Sequence, residues 1–90
     1  MSKSAFSGAN DEFRALLKSI RIGKGLTQAD IAKRLGLPQS YVSKYETGER
    51  RLDFVETMLV CDALEIGIER FAADFAARFG KSRSLRGASS

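Results

Sequence analysis

The sequence predicts an all-α fold of five helices, and two observations predict it. Apolar residues recur at three- and four-residue spacing along the chain, with no alternating run that reads as a strand. Polar capping residues and glycines then punctuate the chain, so that each periodic stretch has its own start and stop.

The elements follow in order. Asn10 is placed to cap a first helix from about Asp11 to Lys24, with Phe13, Leu16, Leu17 and Ile20 on one face. Acids at its start and bases at its end suit the helix dipole, and Gly23 and Gly25 bracket its exit. Thr27 opens a short second helix. Asp30 lies three residues on, close to the capping-box pattern, and Ala29, Ile31, Ala32 and Leu35 are the apolar positions. Gly36 stands where a left-handed residue ends such a helix. Pro38 fits the first position of a third helix, where its missing N–H does no harm. That helix runs to about Glu46 and stops at Thr47-Gly48.

After the loop Glu49-Arg50-Arg51-Leu52, Asp53 and Glu56 form another N-terminal signature. The fourth helix it starts reaches about Leu64 and is broken by Ile66-Gly67. A fifth helix occupies Ile68 to Arg78 or Phe79, and from Gly80 the composition turns small and basic. The expected organisation is a flexible arm over 1–9, one folded domain over 10–79 and a disordered basic tail over 80–90.

Composition narrows the chemistry. Histidine is absent and cysteine occurs once, which removes the commonest general base, the commonest zinc ligand and any internal disulfide. No nucleophile-and-base pair and no ligand cluster can be assembled, so neither an enzyme nor a metal or cofactor site is expected. The lone Cys61, inside the fourth helix, is expected to be a buried and inert thiol. No apolar run approaches the roughly 18 residues of a membrane span. The polar first ten residues lack a secretion signal, and a cytoplasmic protein is expected.

The net charge of +4 conceals a division. Residues 11–52 hold nine bases against five acids, while residues 53–79 hold six acids against two bases. A basic half with an acidic back suits a chain that meets a polyanion with one face.

The segment from Thr27 to Glu46 says how. Two short helices joined by a tight glycine turn cross steeply, and the second can protrude as a ridge into a groove about 12 Å wide. The small Ala29 and Ala32 let the second helix lie close beneath the third. Along the third, Val42 and Tyr45 are three apart and face inward, leaving Gln39, Ser40, Ser43 and Lys44 outside. An ordinary surface helix would more often alternate Glu and Lys there.

The runs Thr27-Gln28-Ala29-Asp30-Ile31-Ala32-Lys33-Arg34-Leu35-Gly36 and Gln39-Ser40-Tyr41-Val42-Ser43-Lys44-Tyr45-Glu46-Thr47-Gly48 resemble the phage-repressor and Cro-type (XRE-like) helix-turn-helix family. The resemblance spans about Leu16 to Phe71 and takes in Arg21 and the Ala63-Leu64-x-Ile66 close of the fourth helix. It implies a five-helix lambda-repressor-like DNA-binding domain. It makes Gln39, Ser40 and Lys44 the base-reading residues, with Gln39 suited to adenine and Lys44 to guanine. Gln28, at a helix N-terminus, is implied to hold a phosphate. Tyr41, Ser43, Arg50 and Arg51 are further expected backbone contacts, and Arg21 with Glu46 a partly buried structural ion pair. Leu37, in place of the usual capping residue, and the acidic Glu49 depart from the family pattern.

Phe75 and Phe79 extend an apolar stripe of the fifth helix that begins at Ile68. The stripe either packs under the first helix or on Phe6, or forms a two-fold dimer seam. A dimer would set two recognition helices about 34 Å apart on a pseudo-palindromic duplex. The functional expectation is a homodimeric, sequence-specific transcriptional regulator of double-stranded DNA, a repressor acting on the nucleoid. A chain of this length is expected to leave no room for a ligand-sensing module, so regulation is expected through abundance, dimerisation or a partner. The alternative is an antitoxin or protein-interaction adaptor that binds a protein partner with the same fold.

Overall fold

The computed structural model describes the backbone of residues 5–83 and the side chains of residues 8–80. Five helices follow one another: α1 (Ala5–Gly23), α2 (Gln28–Leu35), α3 (Gln39–Thr47), α4 (Phe54–Ala63) and α5 (Ile68–Arg83). No strand occurs among the described residues.

Local chemistry sets most of the boundaries. Thr27 and Asp53 cap α2 and α4, each inside a complete capping box. Thr27 Oγ1 accepts from the Asp30 N–H at 3.0 Å while the Asp30 carboxylate accepts from the Thr27 N–H at 2.8 Å. Asp53 and Glu56 repeat the exchange at 2.7 and 2.9 Å. Three helices also end alike. The N–H of Leu26 donates to the Arg21 carbonyl (3.1 Å), that of Leu37 to Ala32 (3.0 Å) and that of Ile66 to Cys61 (3.0 Å), each across a left-handed residue.

Two of those left-handed residues are Gly25 and Gly36, but the third is Glu65, at φ +60°. The fourth helix ends at Ala63, within a residue of the expected Leu64, and the chain turns at Glu65 rather than at Ile66-Gly67. A side chain in this backbone region costs about 1–2 kcal/mol. Long-range contacts offset it: Lys24 Nζ donates to the Glu65 carbonyl at 2.9 Å, and Arg34 Nη1 donates to the Ala63 carbonyl at 2.7 Å. Arg34 of α2 thus satisfies the last carbonyl of α4, and Lys24, just past α1, a carbonyl of the turn that follows it.

Other expectations need correction. The helix α1 begins at Ala5, so Asn10 lies within it and is no cap, and residues 5–9 are helical where an arm was expected. Asp11 and Glu12 consequently stand in mid-helix, where they pair with Arg14 and with Arg78 rather than with the helix dipole. Pro38 is the cap residue of α3 and not its first helical position, because its ψ of 152° is extended. Ala29 is exposed, and only Ala32 of the two alanines lies against the core. Helix α5 continues to Arg83, into the expected tail, and positions 1–4 and 84–90 lie outside the described residues.

The core joins Leu16 and Leu17 of α1, Ile31 and Ala32 of α2, Val42 and Tyr45 of α3, Val60 and Cys61 of α4, and Phe71 of α5. Phe13 meets Phe71 and Phe75 edge-on, at 5.7 and 5.9 Å between ring centroids, which docks α5 onto α1. Cys61 is fully buried, and burial pushes its thiol up to about 11, so it stays protonated and unreactive at neutral pH.

The two capping boxes carry a pH signature. Asp30 and Glu56 are held below their ordinary values of 3.8 and 4.5, chiefly by the N–H groups of Thr27 and Asp53. A carboxylate whose pKa is lower in the folded state stabilises the fold above its unfolded value and ceases to do so as pH falls through the folded one. The melting temperature is expected to hold down to about pH 5 and to fall below about pH 4. In the variant carrying Asp30→Asn and Glu56→Gln that acid slope flattens. Thermal melts followed by circular dichroism check this, and an unchanged slope in the double variant would contradict it.

Candidate nucleic-acid interface

Helix α3 is held from beneath by its own apolar side. Val42 is 0% and Tyr45 2% exposed, both locked against α1, α2 and α4 core residues. Inward placement of these two turns Gln39, Ser40 and Lys44 outward, and all three are exposed. Ser43 and Tyr41 are half-buried at the edges of this row. Gly48 ends the helix at φ +91°, and a side chain there would meet the Arg14 guanidinium, 2.8 Å from the position of its Cβ.

Behind the exposed row runs a connected set of polar groups. Arg21 Nε donates to Glu46 Oε2 at 2.7 Å and its Nη2 to Oε1 at 3.1 Å, a two-pronged pair between α1 and α3. Arg21 Nη1 also donates to the Leu26 carbonyl at 2.9 Å. The side chains are 11% and 3% exposed, and the hydrogen bonds to Glu46 hold the guanidinium pKa above its ordinary value. Gln28 Nε2 donates to Glu46 Oε1 at 2.9 Å, and Gln39 Nε2 donates to Gln28 Oε1 at 3.3 Å. A chain of hydrogen bonds therefore leads from a buried ion pair to an exposed amide at the start of α3. Gln28, expected only as a phosphate ligand, is its middle link.

A second cluster forms where α3 meets α4. Tyr41 Oη donates to Glu56 Oε2 at 3.2 Å, Arg50 pairs with the same oxygen, and the Arg50 guanidinium lies 4.8 Å over the Tyr41 ring. Burial is the main reason that the Tyr41 hydroxyl is raised above its ordinary pKa. Both residues, expected at the DNA backbone, are engaged by Glu56, whereas Arg51 is exposed.

Sequence reasoning missed three features here. Glu56 serves as cap and as anchor for Arg50 and Tyr41, which no spacing rule foretells. Lys24 and Arg34 belong to the basic half by count, yet they serve the end of α4. The outer face of α4 is apolar and exposed: Phe54 69%, Val55 64%, Leu59 53% and Met58 38%. Its signal was present, since Phe54-Val55-Glu56-Thr57-Met58-Leu59-Val60 has too many apolar residues for one buried stripe. By contrast Phe75 and Phe79 are half-buried, and Phe75 packs on Phe13 under α1. Among the described residues no cluster of metal-ligating side chains occurs, and no helix is long and apolar enough to cross a membrane.

Comparison with known proteins places this architecture. A family model described as helix-turn-helix matches residues 17–71. The HTH-type transcriptional regulator PrpR of Mycobacterium tuberculosis is 33% identical over 73 residues, which cover 81% of this chain and 14% of that regulator. This chain thus corresponds to a small part of PrpR. An XRE-family like protein from Pseudomonas syringae superposes with a TM-score of 0.77 at 36% identity, over 81% of this chain and 89% of that one. The restriction-modification controller protein C.Esp1396I superposes at 0.75 and 27% identity, over 81% and 95% of the two chains. The same controller, as a tetramer in complex with its natural 35 base-pair operator, gives 0.74 at 27% identity, over 79% and 93%.

Proposed function

The chain belongs to the XRE-type helix-turn-helix family, and from that premise we propose that it is a sequence-specific regulator that reads double-stranded DNA through α3. The observation that carries this reading is the row Gln39, Ser40 and Lys44, exposed on a helix whose other side is wholly buried. A rod anchored in this way presents amide, hydroxyl and ammonium groups to base edges at little conformational cost.

The roles divide by chemistry. Gln39, with donor and acceptor on one amide, matches the N6 and N7 edge of adenine, and Lys44 matches O6 and N7 of guanine. Gln28 presents a phosphate-binding amide at the N-terminus of α2 while steadying Gln39. Ser43, Tyr41, Arg50 and Arg51 line the flanks as backbone contacts, and Arg50 exchanges Glu56 for a phosphate on binding. Arg21 and Glu46 are scaffold.

The protein acts as a homodimer on a pseudo-palindromic site, with its two α3 helices about one turn of duplex apart. Occupancy of such a site suffices for repression, which this reading assigns to it, in the cytoplasm and on the nucleoid. The controller C.Esp1396I, a tetramer in complex with its operator, supports DNA binding by more than one copy.

Selection of bound duplexes from a random pool, repeated across salt concentrations, tests this. A selected inverted repeat, with affinity falling steeply as salt rises, is the expected outcome. A pool that stays random at every salt concentration would overturn the reading.

A further inference from the structure

We propose that the Glu56 carboxylate occupies the seat of a DNA phosphate and, by its charge, limits how tightly this chain holds any duplex. The proposal rests on the reading of α3 as the DNA-facing helix. Arg50 and Tyr41 form the seat. The Arg50 backbone N–H donates to the Lys44 carbonyl at 3.1 Å, which ties this loop residue to the end of the exposed row of α3. Its guanidinium lies 4.8 Å from the centre of the Tyr41 ring, so a guanidinium N–H and a phenol O–H converge on one point. At that point sits Oε2 of Glu56, accepting from Tyr41 Oη at 3.2 Å and from Arg50 Nη2. An oxyanion held by an arginine and a hydroxyl is the arrangement by which proteins grip a backbone phosphate.

Two features make Glu56 a competitor of the phosphate rather than a passive neighbour. The first is a tether. Glu56 Oε1 accepts from the Asp53 N–H at 2.9 Å and closes the cap of α4, so the carboxylate leaves the seat only by opening that cap. A phosphate that takes Arg50 therefore still meets a fixed negative charge beside it. The second is access. The Arg50 side chain is 44% and that of Glu56 25% exposed, so a strand of duplex can reach the pair. Nothing local demands the charge. An ion pair at this exposure contributes little to the fold, and a glutamine at the same position would keep the capping exchange. An acid here lowers affinity for every duplex alike, because the phosphates are the same in all sequences. The base contacts of Gln39, Ser40 and Lys44 are left to carry a larger share of binding.

Fluorescence anisotropy titrations of the whole chain, with a selected duplex and a scrambled one across salt concentrations, test the proposal. The variants are Glu56→Gln, Arg50→Ala and the two combined, with circular dichroism to check that each keeps its helices. Glu56→Gln is expected to bind both duplexes about 3- to 5-fold more tightly, the size of one exposed charge interaction. Its salt dependence should steepen by up to about 0.9 in log affinity per log salt, the equivalent of one phosphate contact. Preference between the two duplexes should not change. On the Arg50→Ala background the gain should shrink, because no phosphate is then drawn to the seat. A gain of full size there would mean that Glu56 acts only at a distance, and would overturn the proposal. So would a helical Glu56→Gln protein that binds no more tightly than the wild type; weaker binding would make Glu56 a residue that aims Arg50. The wild type gives a reading that depends on no substitution. The carboxyl carbon resonance of Glu56 should move on saturation with duplex as Arg50 leaves it, and a resonance that stays in place counts against the seat. A wild type that ignores duplex DNA at every salt concentration removes the DNA-binding reading and this proposal with it. One that selects a site but is indifferent to Glu56→Gln removes this proposal alone.

Discussion

Replacing Glu46 by alanine is expected to cost about 3–5 kcal/mol of folding stability, a large share of what a domain of this size possesses. The reason is asymmetry. With the carboxylate gone, the Arg21 guanidinium stays in a site where its side chain is 11% exposed, and keeps only the Leu26 carbonyl as acceptor. Gln28 Nε2 loses its acceptor as well. Removing both charges together, as Arg21→Met with Glu46→Leu, should recover most of the loss, since a buried pair contributes little net stability over apolar residues of similar volume. Urea unfolding of the three variants gives the comparison. A Glu46→Ala protein that loses less than about 1 kcal/mol would show that the pair is solvated in solution.

The second large effect lies at the DNA. Gln39→Ala and Lys44→Ala should each abolish preference at one position of the selected site, a discrimination of about 1–3 kcal/mol, or roughly 5- to 150-fold. Neither should alter stability, because both side chains are exposed. Gln28→Ala separates this account from a simpler one. If Gln28 only held a phosphate, its loss would weaken all sites alike. Since it also holds the Gln39 amide at 3.3 Å, its loss should relax the Gln39 position in addition. Competition binding against single-base variants of the site reads both effects. Uniform weakening by Gln28→Ala, with the Gln39 preference intact, would break the proposed link between them.

The division between what could be read along the chain and what could not is physical. Capping boxes at Thr27 and Asp53, and the glycine stops at Gly25, Gly36 and Gly48, act within a few residues. Their chemistry is legible from spacing alone. So is the inward pair Val42 and Tyr45, and with it the outward row of α3. The start of α1 was misread because Asn10 is an acceptable cap that nothing nearby obliges the helix to use. Pro38 was misplaced by one position because its fixed φ suits both a cap and a first helical residue. The remaining misses are long-range. Whether Lys24 and Arg34 meet phosphate or the end of α4 depends on contacts 29 and 41 residues away, which periodicity does not encode. The bare face of α4 needed the burial of every neighbour before it could be recognised.

The claim on which the account turns is that α3 presents its outer row to DNA. Titration of the isotopically labelled protein with a selected duplex, followed through backbone amide shifts by nuclear magnetic resonance, tests it most directly. The expected map has its largest changes at Gln28, from Gln39 to Lys44 and at Arg50 and Arg51, with the far end of α5 unmoved. Shifts confined to α4 and α5, with the amides of α3 unchanged at saturation, would contradict it.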